Sequence, residues 1–269
     1  MTKNLSEEVE TYLNELVKRL TEYLKDQLIG VYLFGSASYD AYEPGLSDLD
    51  VQAIVKNPLD TAAKNAIIHR VNQASLPCPA TKLEFVVYAQ TAVTPATRHP
   101  RFELNLNTGR NQSDHISLDP ASESSHWFLL DIAMGRERGR TLYGANTTDA
   151  FGAIPRHWII EAIGISLDWH QEHELNSANS VLNACRGWRY IITGECGSKV
   201  DGAKWALQQQ GCPDVVGRAI EARKTGDELP VDKVIALYEV VMAASRNKLA
   251  ADNLLNEDVL YREGSMGNF

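Results

Sequence analysis

Three short apolar runs, near residues 29–34, 48–55 and 82–89, fall in the first third of the chain, and the chain beyond residue 155 reads as helix alone. That asymmetry restricts the fold more than any other feature. Runs of this length, rich in branched and aromatic residues and bounded by Gly, Asn, Asp and Pro, are strands. Helical stretches near 6–27 and 59–74 alternate with them, which makes the first half an α/β (α+β) layer with a small mixed sheet. Residues 98–118 are polar and irregular, with short extended pieces at "FELNLN" and "HISL". A helix near 122–138 and a strand at "RTLYG" follow. At "GANTTDAFGAIP" (144–155) the composition turns to Gly, Thr, Asn and Pro, a boundary signal. Helices are then predicted near 155–173, 178–193, 199–210, 213–224 and 230–249, an all-α bundle, with a frayed tail at "YREGSMGNF". Two domains are expected, 1–150 and 151–269.

The N-terminal helix carries Leu13, Leu16, Val17, Leu20 and Leu24 on one stripe, and "MTKNLSEEVETYLNEL" has no apolar signal-peptide core. No apolar run approaches the roughly 20 residues of a membrane span. The four cysteines show no paired spacing, which predicts free thiols in a cytoplasmic protein. The net charge of −9 argues against a nucleic-acid or anionic-membrane partner and favours a cationic small molecule.

The second run begins Asp48-Leu49-Asp50. Strand side chains alternate, so both carboxylates share a face while Leu49 and Val51 take the other. Two close carboxylates repel, and a divalent cation is the natural neutraliser; Mg²⁺ takes one or two carboxylates together with waters and phosphate oxygens. Twelve residues upstream, Gly35-Ser36 ends the first run. Gly35 reaches backbone angles closed to other residues, and Ser36 can donate to a phosphate. A third acid, Glu84, opens the apolar run "LEFVVYA" and needs a partner there; Lys82 is a nearby base that could pair with it. His170 and His173 share a helix side, but no third metal ligand of the right kind accompanies them. Asp168, Glu172 and Glu174 form an acidic helix face that solvent alone could explain.

"LFGS" followed by "SDLDV" resembles the nucleotidyltransferase signature of the polymerase-beta superfamily. "LNACRGWRYIITGECGSKVDGAKWAL" (182–207), with "HWFLLDIAMGRERGRTLYG" and "ELNLNTG", is similar to bacterial aminoglycoside adenylyltransferases of the streptomycin/spectinomycin 3″/9 group. The resemblance implies an N-terminal nucleotidyltransferase domain with a helical C-terminal domain that meets ATP and the antibiotic. It implies Mg²⁺ at Asp48 and Asp50 with Glu84 as base or further ligand, and phosphate contacts at Gly35, Ser36, Arg186 and Lys199. The acceptor would be a cationic antibiotic met by Glu84, by Glu172 and by the position of Asn176, on a monomeric enzyme. The sequence departs at two places. Gly109 stands where streptomycin-modifying members carry Trp, and Asn176 where they carry an acid, so spectinomycin is expected to be favoured over streptomycin. The same chemistry directed at a protein, an RNA end or a metabolite, and a nucleotide-binding regulatory module, are the alternatives.

Overall fold

The computed structural model describes residues 5–265. The last four residues of the tail expected to fray lie outside them. The chain divides into two compact units, Met1–Ile154 and Pro155–Phe269.

The first unit opens with α1 (Glu7–Leu24), whose N-cap Ser6 accepts from the Val9 N–H and whose first turn holds Glu7, Glu8 and Glu10. Capping oxygens and acidic residues stabilise the positive end of a helix. Its buried stripe is Val9, Tyr12, Leu13, Leu16, Leu20 and Leu24, spaced by three and four. A short 3₁₀ turn leads to β1 (Leu28–Phe34), then β2 (Leu49–Val55), α2 (Thr61–Val71), β3 (Leu83–Ala89), β4 (Phe102–Thr108), β5 (His115–Ser117), α3 (Ser125–Arg138), β6 (Arg140–Tyr143) and α4 (Thr147–Ala150). The six strands form one mixed sheet in the order β5-β4-β3-β2-β1-β6. Only β2 and β3 run parallel, joined by the crossover through α2.

Helices cover both faces of the sheet. On one, Val31, Leu33, Leu49, Val51, Phe85, Val87, Leu104 and Leu106 pack with the stripe of α1 and with Ile67, Ile68 and Val71 of α2. On the other, Tyr32, Phe34, Ile54, Val86, Tyr88 and Phe102 pack with Phe128 and Ile132 of α3 and with Phe151. The Phe151 ring lies 5.1 Å from that of Tyr32 and 5.3 Å from that of Phe34. This contact explains α4, a turn of helix inside a segment whose composition reads as boundary. Phe151 holds "TTDAF" against the sheet, so the chain belongs to the first unit up to Ile154.

The second unit is helical throughout the described residues: α5 (Arg156–His173), α6 (Ala178–Thr193), α7 (Lys199–Ala206), α8 (Val215–Thr225) and α9 (Val231–Ser265). Helix α6 is central and meets all four others. It ends at Gly194 in the left-handed conformation, the usual helix stop, and α7 begins with a capping box of Ser198 and Asp201. Trp188 and Trp205 pack edge to face at 5.3 Å, as core side chains do.

Candidate active site

The acidic centre is built from one row of the sheet. β2 and β3 are parallel neighbours with Asp50 opposite Glu84, so their side chains emerge side by side from the same face, about 5 Å apart at the backbone. Asp48 lies just before β2. It is anchored on both sides, because Leu49 N–H donates to Lys82 O at 3.0 Å and Thr81 N–H donates to Ser47 O at 3.2 Å. Ligand oxygens of Asp48, Asp50 and Glu84 all lie within 4.8 Å of one another, and all three residues are half-buried.

Lys82 sits two residues before Glu84 on the same face, and its ammonium forms an ion pair with the Glu84 carboxylate. Burial works against the charge on Lys82, but Glu84, Asp48 and Asp50 outweigh it and raise the lysine's pKa. The acid at the start of β3 therefore has its partner in the residue just before that strand.

The loop after β1 comes back over this centre. Gly35 has φ +59°, and a Cβ there would fall inside the Asp50 carboxylate. Both the backbone angle and the space demand glycine. The next hydroxyl, Ser36 Oγ, is buried and has no hydrogen-bond partner. An unpaired buried hydroxyl is costly, and at a loop facing three acids it is suited to an oxygen of an incoming ligand. Oxygen donors alone, three of them carboxylates, suit a hard divalent cation such as Mg²⁺ and no soft metal. His170 and His173 are not part of any such cluster among the described residues.

The turn after β4 bears on the acceptor. Gly109 is buried, and a Cβ on it would lie 2.8 Å from Thr81 O and 2.9 Å from Lys82 Cβ. The backbone has no room there for any side chain, so the missing aromatic is matched by a local geometry that excludes one.

In the second unit, Arg186 and Lys199 belong to one hydrogen-bond network. The Arg186 guanidinium donates to Asn183 Oδ1 at 2.8 Å, Lys199 Nζ donates to Asn179 Oδ1 at 2.6 Å, and the two asparagines are joined at 3.2 Å. Asn179 also donates to Glu174 at 2.8 Å. Of the acidic stretch, Glu174 is the member tied to these bases; Glu172 is exposed on α5. The Asn176 carbonyl accepts from Leu229 N–H at 2.8 Å. Asn179 and Asn183 are not singled out from sequence, since nothing in local spacing links them to the bases; Lys82 is read there only as a possible partner of Glu84, and Glu174 only as part of an acidic face. Among the described residues no helix is long and apolar enough to cross a membrane.

A strand–turn–strand bearing two aspartates, a third carboxylate beside them on the neighbouring parallel strand and a helical unit after these are the features of a nucleotidyltransferase-type enzyme. Residues 149–225 match the family model for the aminoglycoside adenylyltransferase C-terminal domain. By that match and by its relatives, the chain is similar to the aminoglycoside adenylyltransferases. A spectinomycin 9-adenylyltransferase of Campylobacter jejuni is 24% identical over 199 residues, 72% of this chain and 77% of the relative. One of Staphylococcus aureus (strain N315) is 26% identical over 204 residues, 72% and 76% respectively. The crystal structure of spectinomycin adenyltransferase AAD(9) from Enterococcus faecialis, with ATP and spectinomycin, superposes with a TM-score of 0.67 at 19% identity. It covers 87% of this chain and 99% of its own and is a likeness of fold.

Proposed function

We propose that the protein moves AMP from ATP to a hydroxyl of a cationic aminocyclitol antibiotic, with spectinomycin preferred to streptomycin. The convergence of Asp48, Asp50 and Glu84 within 4.8 Å, beside the unpaired Ser36 hydroxyl, carries this reading. The spectinomycin 9-adenylyltransferase activity of the relatives supports the acceptor class, and the ATP and spectinomycin of the AAD(9) structure support both substrates.

Mg²⁺ held by Asp48 and Asp50 would neutralise the charge that gathers on the transferring phosphoryl group. The remaining work falls to the chain. Glu84 takes the proton of the acceptor hydroxyl as its oxygen bonds to the α-phosphorus, and the bond from that phosphorus to the bridging oxygen breaks to release pyrophosphate. Lys82 pairs with the Glu84 carboxylate and orients it beside the acceptor hydroxyl. Ser36 donates to a phosphate oxygen, and Arg186 and Lys199 take further phosphate charge.

The acceptor preference follows from Gly109 and Asn176. Streptomycin is large and bears guanidinium groups. It would gain from an aromatic surface and a carboxylate, each worth roughly 1–3 kcal/mol when buried. Spectinomycin is compact and needs only an acid for its amines, with Glu172 or its neighbour Glu174 available. The test is pyrophosphate release with ATP and Mg²⁺ across a panel of aminocyclitols, a peptide and an RNA end, with kcat/KM for each acceptor. A higher kcat/KM for spectinomycin than for streptomycin is expected. Turnover with the peptide or the RNA alone would replace the acceptor and keep the chemistry.

A further inference from the structure

We infer that His170, acting through Asn183, is a positioning residue that sets Arg186 for the nucleotide's phosphates and does so only while its ring is neutral. The inference rests on the reading that Arg186 meets phosphate.

Neither Arg186 nor Lys199 can accept a hydrogen bond, so each asparagine beside them must turn its amide oxygen outward. Asn183 Oδ1 therefore faces Arg186 at 2.8 Å, and Asn179 Oδ1 faces Lys199 at 2.6 Å. This leaves the Asn183 NH₂ group facing His170 Nε2 at 3.2 Å. A donor there requires an acceptor, so Nε2 carries no proton. The ring proton is then on Nδ1, and Glu174 Oε1 is a close charged neighbour of that atom at 2.6 Å, outside hydrogen-bond alignment. The same carboxylate oxygen accepts from Asn179 at 2.8 Å. That carboxylate orients the Asn179 amide directly, and Asn179 Oδ1 in turn accepts from the Asn183 amide at 3.2 Å.

Protonating Nε2 would set an N–H against an NH₂ group. The conflict is relieved when Asn183 turns over, and its NH₂ group then faces Arg186. A charged His170 and a correctly held Arg186 exclude one another. Arg186 gives only part of its set of N–H donors to Asn183 and keeps the rest for a ligand. The charged groups facing the ring are Glu174 at the end of α5, Arg186 on α6 and Lys199 on α7. With the side chain only 2% exposed, burial disfavours the charged ring, Glu174 opposes that effect, and Lys199 and Arg186 add to it; the net direction is a lowered pKa. The neutral, network-competent form therefore prevails at neutral pH and is lost as pH falls below the ordinary histidine range.

The test is ATP binding by calorimetry from pH 7.5 to pH 5, with no acceptor present, on the wild type and on His170→Gln and His170→Leu. Gln places an amide oxygen near the position of Nε2 but does not titrate. One charged hydrogen bond is worth about ten- to a hundredfold in affinity. The wild type should weaken by that factor toward pH 5 more steeply than His170→Gln, which should match it at pH 7.5. His170→Leu should be weakened throughout. Nitrogen-15 NMR of the imidazoles reads the tautomer without reference to activity and is independent of whether the Leu variant folds. A proton on Nδ1 of His170 at neutral pH supports the inference; a proton on Nε2, or parallel pH profiles for wild type and His170→Gln, overturns it. Equal ATP affinity in Arg186→Gln and wild type also overturns it, yet leaves adenylyl transfer standing. An acceptor panel without turnover would end the transfer reading while the binding profiles still decide the role of His170.

Discussion

Asp48, Asp50 and Glu84 are three half-buried acids on two adjacent strands, and each has a different neighbour. Asp48→Asn or Asp50→Asn removes a charged oxygen from the cluster, and Mg²⁺-dependent turnover should be abolished with folding intact; circular dichroism beside a pyrophosphate assay checks both. Glu84→Gln should bind MgATP about normally and lose transfer by roughly 10²–10⁴-fold, the usual worth of a general base. If ATP affinity falls together with transfer, Glu84 serves the metal and not the proton. Gly35→Ala should be inactive as well, because its Cβ would displace the Asp50 carboxylate. The period of two made the aspartate pair legible in sequence, and so did the apolar run around Glu84. Lys82 was legible only as a possible partner. The network of His170, Glu174, Asn179 and Asn183 was not legible, since its members meet between α5, its C-terminal end and α6, and reach α7 only through Lys199. The exposure of Glu172 and the contacts of Glu174 depend on where α5 stops, at His173, and helix ends are poorly fixed by periodicity.

Among the elements, the strands of the sheet lie close to the apolar runs of the sequence because each run is bounded by turn residues and buried on at least one face. Helix α4 was hidden because its anchor, Phe151, acts through Tyr32 and Phe34, more than a hundred residues away in the chain. α9 extends beyond the predicted residue 249, to Ser265. Within α1, Leu16 is fully buried against the sheet, so Leu16→Ala should cost about 2–5 kcal/mol in denaturant unfolding. The edge strand β6 is tied to α1 by two bonds from Arg140 to Glu10, both 2.6 Å. That pair is partly exposed, and Arg140→Ala should cost less than about 1 kcal/mol and less still in high salt. The turn after β4 offers a sharper check on specificity. Gly109→Trp should fail to confer streptomycin transfer and should destabilise the first unit by about 1–3 kcal/mol, since the new side chain meets Thr81 and Lys82 from its Cβ onward.

At the scale of the whole molecule, a net charge of −9 favours capture of a cation over a long range. KM for a cationic acceptor should therefore rise as salt increases from about 0.05 to 0.5 M, where the Debye length shrinks to a few ångströms, while kcat changes little. The central claim is that the three-carboxylate centre of the first unit transfers AMP to the acceptor, and product analysis tests it most directly. Wild type and Asp50→Asn are each incubated with ATP, Mg²⁺ and spectinomycin, and the drug is weighed by mass spectrometry while pyrophosphate is counted. The account predicts one adenylyl group on the drug and one pyrophosphate per transfer for the wild type, and neither for Asp50→Asn. Adenylylated spectinomycin from Asp50→Asn at a rate near that of the wild type would contradict it.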